Sequence, residues 1–318
     1  MRRFPIRPGV LLPICAALLA AGIAFAKPPS PQAAAQPPVP LLWKVSDADN
    51  AVYLLGSFHL LRPSDYPLSA DVDAAFKDAE TVVFEIAPEE MESPALGIQM
   101  GQAALRTDGS QLDAELPQAT RTRLAAWIAA HQDALQKSGV PPQMLQLFEP
   151  WFVGLTVSIV DMAGLGLDPK LGLDRHFAEA AKAAGKATAG LETGAQQIAF
   201  LDGMDHDEQL QFLAEALDEA KDAGDVERLH AAWRRGDAKA LWEGMAADMK
   251  RRYPKLYQHI DVDRNDAWVP KIAQRLDAPG RHDTLVVVGA LHLLGSDGVV
   301  EKLRAKGYTV ERICSACR

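Results

Sequence analysis

Two copies of one short pattern, far apart in the chain, carry its clearest chemical signal. Gly56-Ser57-Phe58-His59-Leu60-Leu61 follows an apolar run at 52–55, and Gly289-Ala290-Leu291-His292-Leu293-Leu294 follows another at 285–288. A short apolar run bounded by turn residues reads as a buried strand. Glycine at its end permits a tight turn or a close approach of backbone. A histidine three residues later stands at the carboxyl end of the strand, where open α/β sheets place their sites. A lone histidine there is ordinarily structural. Two matching copies point instead to one shared site, with His59 and His292 brought together by the fold.

Glu85 belongs with them. Residues 81–86, TVVFEI, read as a strand with Glu85 between Phe84 and Ile86. A carboxylate in an apolar strand is costly to bury unless it is paired, protonated or metal-bound. Either Glu85 faces water or it is functional, and alternation puts it on the face of Val83. A second glutamate, Glu192, ends the short strand at 186–191. Two imidazoles with one or two carboxylates make a divalent-metal set, suited to Zn, Mn, Fe or Co. A catalytic metal keeps a position open for water, lowers its pKa, and a nearby carboxylate relays protons. Arg264 and Asn265 are candidates to steady a developing oxyanion; the alternative for Arg264 is a surface arginine or a salt bridge. The chain has no His-Glu-x-x-His helix, no Gly-x-Ser-x-Gly elbow and no P-loop, which disfavours serine-hydrolase and nucleotide-dependent chemistry.

The elements that must position these residues follow from the patterning. Strands at 41–45 and 51–56, joined by Asp47-Ala48-Asp49-Asn50, form a hairpin that delivers His59. A helix follows at 68–79 with Ser69 as its cap. Residues 116–130 read as an amphipathic helix presenting Leu124, Trp127 and Ile128. Residues 150–162 form a buried core or groove helix, too short for a membrane span. A helix at 173–184 starts near Asp174. From 193 to 250 helices with charged faces dominate, and His206 and His230 read as surface residues. Asn265 or Asp266 caps a further helix, and a β-loop-α-β segment closes the chain from 284 to 313. The expected fold class is α/β: a mixed central sheet with a large helical insertion over its mouth. The two Gly-x-x-His units are expected to be related by a pseudo-twofold.

Composition sets the outer bounds. The 318 residues are 48% hydrophobic and 24% charged, ordinary for a globular protein. A net charge of −9 argues against a nucleic-acid partner. Residues 1–26 have the three regions of a signal peptide: Arg2, Arg3 and Arg7, an apolar stretch, and Ala24-Phe25-Ala26. Its removal takes away three arginines and no acid, so the net charge moves from −9 to −12. Residues 27–40 are a Pro/Ala-rich linker, and 41–318 are expected to be a single domain. Export to the periplasm or beyond implies an oxidising compartment. There Cys314 and Cys317 are read as a terminal disulfide, in preference to a redox or metal-binding pair. No stable membrane span is expected after cleavage.

Taken together, the motifs resemble the TraB/PrgY/GumN family, to which the Tiki metalloproteases are related. The resemblance rests on Gly56-Ser57-Phe58-His59, Phe84-Glu85, Gly172-Leu173-Asp174, Gly190-Leu191-Glu192-Thr193 with Gln197, Arg264-Asn265 with Trp268, and Gly289-Ala290-Leu291-His292-Leu293 with Gly295. It covers residues 41–313. Ser57 and Phe58 fill variable positions, and the terminal cysteines are no part of the pattern. The resemblance implies metal ligands His59, Glu85 and His292, with Glu85, Arg264 and Asn265 taking part in catalysis. It also implies Mn or Co as cofactor, with Zn as an alternative, and hydrolysis of peptide bonds in a peptide or other small substrate. The wider superfamily is similar to erythromycin-esterase-like hydrolases and haem-binding ChaN-like proteins. The alternative expectation is therefore a non-catalytic periplasmic binder of a haem-like ligand or a signalling peptide.

Overall fold

The computed structural model describes residues 36–220 and 223–317. The expected signal peptide and most of the linker lie outside the described residues. Six strands form one mixed sheet: β1 (Leu42–Ser46), β2 (Ala51–Ser57), β3 (Thr81–Ile86), β4 (Ala187–Glu192), β5 (Thr284–Gly289) and β6 (Thr309–Arg312). Their order is β4-β3-β5-β2-β1-β6. β1 and β2 are the predicted hairpin. Its turn is held by Asp47, whose Oδ1 accepts from the N–H groups of Asp49 and Asn50, each at 3.1 Å. β6 pairs antiparallel with β1 at the edge.

The other four strands run parallel, β2 beside β5, β5 beside β3, β3 beside β4. Every residue of β2 and β5 is buried, as parallel strands covered on both faces require. The two Gly-x-x-His units therefore leave adjacent strands in the same direction, with Gly56 opposite Val288 and Ser57 opposite Gly289. On their outer sides the two strands differ: β1 is antiparallel to β2, whereas β3 is parallel to β5.

Helices fill the connections. α1 (Ala70–Asp78) links β2 to β3. Between β3 and β4 come α2 (Gln118–Ala130), α3 (Pro150–Gly164) and α4 (Leu173–Ala184), with shorter turns. Between β4 and β5 come α5 (Gly194–Asp202), α6 (His206–Glu219), α7 (Ala223–Arg235) and α8 (Asp263–Leu276). α9 (Val299–Ala305) links β5 to β6. The helical insertion is thus two insertions that pack as one layer, α3 against α6, around Phe148, Trp151 and Leu213. A separate core surrounds the sheet, including Leu54, Leu55, Val286 and Trp268. No described helix is long and apolar enough to cross a membrane.

One expectation is corrected. His230 is not a surface residue; it is 4% exposed. Its Nε2 lies 2.8 Å from Oδ2 of the fully buried Asp65, and Arg234 pairs with the other carboxylate oxygen. One turn along, the Trp233 indole donates to the Gly56 carbonyl at 3.0 Å. His230, Trp233 and Arg234 share one helix face by their spacing. That face looked charged because its partner, Asp65, sits in a distant loop. Cys314 and Cys317 form the expected disulfide, with Cα atoms 5.3 Å apart.

Candidate active site at the carboxyl edge of the sheet

The ends of β2, β5, β3 and β4 lie side by side, so residues remote in sequence meet along one edge. His59 follows β2 by two residues, Glu85 is the penultimate residue of β3, and Glu192 ends β4. His292 stands in the short 3-10 turn Ala290–Leu293 directly after β5. Gly289 is at their centre. A Cβ added there would lie 3.3 Å from both His59 Nε2 and Glu85 Oε1, and 3.5 Å from His292 Cδ2. The three predicted ligands thus converge around the one residue without a side chain.

His59 is aimed from behind. Its Nδ1 lies 2.8 Å from Asp174 Oδ2, and the Ser57 hydroxyl donates to the same oxygen. Asp174 is in the first turn of α4, which sits directly on the His59 backbone. A Cβ at Gly172 would fall 2.0 Å from the His59 carbonyl oxygen, so only glycine lets the helix start here. The next N–H, of Leu173, donates to the Phe58 carbonyl at 3.1 Å. Asp174 keeps the His59 proton on Nδ1 and pushes the imidazole pKa up to about 9. Nε2 is left facing Glu85 Oε1 at 4.0 Å, and the side chain is 56% exposed, so the site opens to solvent here.

Glu85 is 8% exposed and fully engaged. Oε1 accepts from the Gly289 N–H at 2.8 Å; Oε2 accepts from Arg264 Nη2 at 2.5 Å and from Gln197 Nε2 at 3.4 Å. Burial alone would raise its pKa. The Arg264 guanidinium, then the two histidines and the Gly289 N–H, outweigh that and hold the carboxyl well below the usual carboxylate range.

Arg264 is the hub. Nη2 donates to Glu85 and, at 2.6 Å, to Glu192 Oε1; Nε donates to Glu192 Oε2 at 3.2 Å; Nη1 reaches His292 Nε2 at 3.1 Å. Its guanidinium stacks on Trp268, 4.7 Å from the ring centre, and the Trp268 indole donates to Glu192 at 3.0 Å. Such a fork suits arginine and not lysine. His292 is fixed through Nδ1, 2.8 Å from Asn265 Oδ1 and 3.0 Å from Asp261 Oδ1.

The helix carrying these residues does not begin with a cap at Asn265 or Asp266. A π-helical turn, Gln258–Val262, runs straight into α8 and places Asn265 inside the helix. Asp261, Arg264, Asn265 and Trp268 then share one face, at i, i+3, i+4 and i+7. π-turns of this kind commonly mark functional sites. Asn265 lies behind His292 with both ends of its amide engaged, Nδ2 donating to Asp261 and to the Asp297 carbonyl. Sequence reasoning missed Asp261, a fully buried carboxylate. Its position four residues before Asn265 was the available signal.

The arrangement turns two donor atoms to one point, His59 Nε2, which must first give up its proton, and Glu85 Oε1, which keeps one lone pair beside the Gly289 N–H. His292 Nε2 points toward the same region, but its lone pair is met by Arg264. Among the described residues, no group of three or more His, Cys, Asp or Glu is set as a metal cage. The charge balance nonetheless favours a cation: the four carboxylates of Glu85, Asp174, Glu192 and Asp261 outnumber the Arg264 guanidinium and the His59 imidazolium set against them.

No curated protein and no solved structure matches the chain. The sequence profile of one family does, over residues 41–312, and with the paired strand-end histidines and the strand glutamate in place the chain belongs to the TraB/PrgY/gumN family.

Proposed function

We propose that the protein is an exported, metal-dependent hydrolase acting on peptide bonds. The observation that carries this reading is the convergence of His59, Glu85 and His292 around Gly289. The donor types suit Mn or Co, with Zn as the alternative. His59 Nε2 and Glu85 Oε1 would hold the ion; His292 Nε2 joins them only in exchange for its contact with Arg264. A bound ion supplies an acidified water and polarises a carbonyl. Asp174 keeps the His59 proton on the nitrogen away from the site, as a carboxylate behind a ligating imidazole does. The Arg264 guanidinium, anchored by Glu192 and Trp268, stands ready beside negative charge developing on a carbonyl oxygen. Asn265 and Asp261 hold the His292 ring. Export is supported by the basic-apolar-small pattern of residues 1–26 and by a disulfide suited to an oxidising compartment.

Arg264 also supports a second reading. It already brings a fixed positive charge to Glu85 and His292. Without a metal, His59, oriented by Asp174 and protonated at neutral pH, is a general acid and Arg264 the oxyanion partner.

The test is cleavage of a defined peptide library, read by mass spectrometry, with Mn²⁺ or Co²⁺ and then with chelator. Glu85→Gln should lose about 100-fold or more of the turnover while keeping its far-ultraviolet dichroism, because Glu192 still pairs Arg264. Chelator-resistant cleavage favours the metal-free reading. Undiminished cleavage by Glu85→Gln contradicts both.

A further inference from the structure

Three large apolar side chains stand well exposed among the described residues: Met91 at 57%, Ile98 at 59% and Leu147 at 49%. All three belong to two neighbouring stretches of chain. Residues 93–105 and 138–148 contain no Asp, Glu, Lys, Arg or His, in a chain that is 24% charged, and Met91 stands just before the first of them. The stretches are joined at their ends. The Arg106 N–H donates to the Leu147 carbonyl at 2.9 Å, and the Glu149 N–H to the Ala104 carbonyl at 2.8 Å.

The first stretch forms the helix Pro94–Ala103, capped by the Ser93 hydroxyl, which accepts from the Ala95 N–H at 3.2 Å. One face of this helix meets the fold. Leu96 lies over Gly194 at the start of α5, where a Cβ would collide with it. Met100 and Ala103, at i+4 and i+7 from Leu96, pack on the core of the helical layer. The opposite face, with Ala95, Ile98, Gln99 and Gln102, is exposed. A Cβ added at Gly101 would meet nothing within 4 Å.

Charge and hydrogen-bonding chemistry say what fits this face. The chain carries a net charge of −9, so two copies repel wherever acids meet acids. Here they can approach without opposing charges. The exposed polar side chains on the two stretches include Gln99, Gln102 and Gln143. In a twofold dimer the face meets its own copy, so its polar groups must pair with groups of the same kind. A glutamine amide both donates and accepts and can do this; carboxylates or ammonium groups facing their own kind cannot. We propose that this face joins two copies of the chain in a twofold dimer, with Ile98, Leu147 and Met91 buried between them and the glutamines paired around them. The helix packs on α5, whose Gln197 reaches Glu85, so the interface flanks the sheet-edge site of each copy.

Sedimentation equilibrium of the purified protein tests this. The expected result is a reversible monomer–dimer equilibrium with dimer the major species by about 100 µM. Ile98→Glu and Gly101→Glu, each placing a charge on the face, should weaken the dimer at least about tenfold. Gly101→Glu should melt no lower than the wild type at a dilution where both are monomers, because glycine is the poorer helix former and the space is open. Ala183→Glu, at the exposed far end of α4, changes the net charge equally and should dimerise as the wild type does. Undiminished dimer in both Ile98→Glu and Gly101→Glu, or an equal loss in Ala183→Glu, overturns the proposal. So does a wild type that stays monomeric to about 100 µM; co-sedimentation of that monomer with phosphatidylcholine vesicles would assign the face to a lipid surface instead.

Discussion

Gly289 is the residue on which the site turns. Its backbone, φ −49° and ψ 133°, suits any residue, so alanine there strains nothing locally. The added methyl would nevertheless occupy the point shared by His59, Glu85 and His292. Gly289→Ala is expected to keep the wild-type dichroism and to melt within a few degrees of it, while turnover falls about tenfold or more; full turnover would show that the point is not where chemistry occurs. Arg264→Lys makes a complementary test. Lysine cannot fork between Glu85, Glu192 and His292, so turnover should fall even though the charge remains. At this scale the sequence was informative, because a histidine three residues past a glycine and a glutamate inside a strand break the ordinary pattern of a buried sheet. Asp261 broke no pattern. In the sequence it is one acid beside Asp263 and Asp266, and only the folded helix shows it buried against His292.

Among elements, α7 and α4 act as clamps on the His59 loop. α7 grips it through Asp65, which accepts from the Arg62 N–H at 2.7 Å and pairs with His230 and Arg234. Burial would raise the Asp65 pKa; the His230 hydrogen bond, the Arg62 N–H and Arg234 together hold it below its ordinary value. The stabilisation this gives is fully present above the unfolded aspartate value of about 3.9 and is lost as pH falls through the lower folded value. Asp65→Asn is therefore expected to cost about 3–5 kcal/mol at pH 7, since it leaves buried partners uncompensated. The difference from wild type should shrink when urea unfolding is repeated near pH 3; a pH-independent difference would count against the ion pair as its origin. The strands and most helices were legible from periodicity and turn residues, with the bounds of β3 read to the residue. The cap predicted at Asn265 failed because a π-turn leaves no signature in composition: the chain passes from Gln258 into α8 without a break.

The whole molecule divides its labour between two cores. The parallel strands and α8 build the site, while α2, α3 and α6 build a layer with a core of its own. Trp151 is fully buried in that layer's core and is no part of the core around the sheet. Trp151→Ala should cost about 3–5 kcal/mol of stability, yet leave Mn²⁺ affinity at the sheet edge, per folded molecule, unchanged by calorimetric titration; a parallel loss of affinity would mean the layers are energetically one. The α/β class and the placement of helices between strands could be read from the order of the elements. The pairing of β2 with β5 could not, because residues 58–283 separate them and nothing local announces a parallel partner. The repeated Gly-x-x-His was the one sign that the two strands end together.

The central claim is that His59, Glu85 and His292 form a single cation-binding site, and metal content tests it most directly. Purified protein expressed from the whole sequence, offered Mn²⁺ or Co²⁺ and then desalted, is analysed for metal beside His59→Ala/His292→Ala. The account predicts about one ion per wild-type chain and a loss of at least about tenfold in the double variant. Equal metal in both, or none in the wild type with either ion, would contradict it.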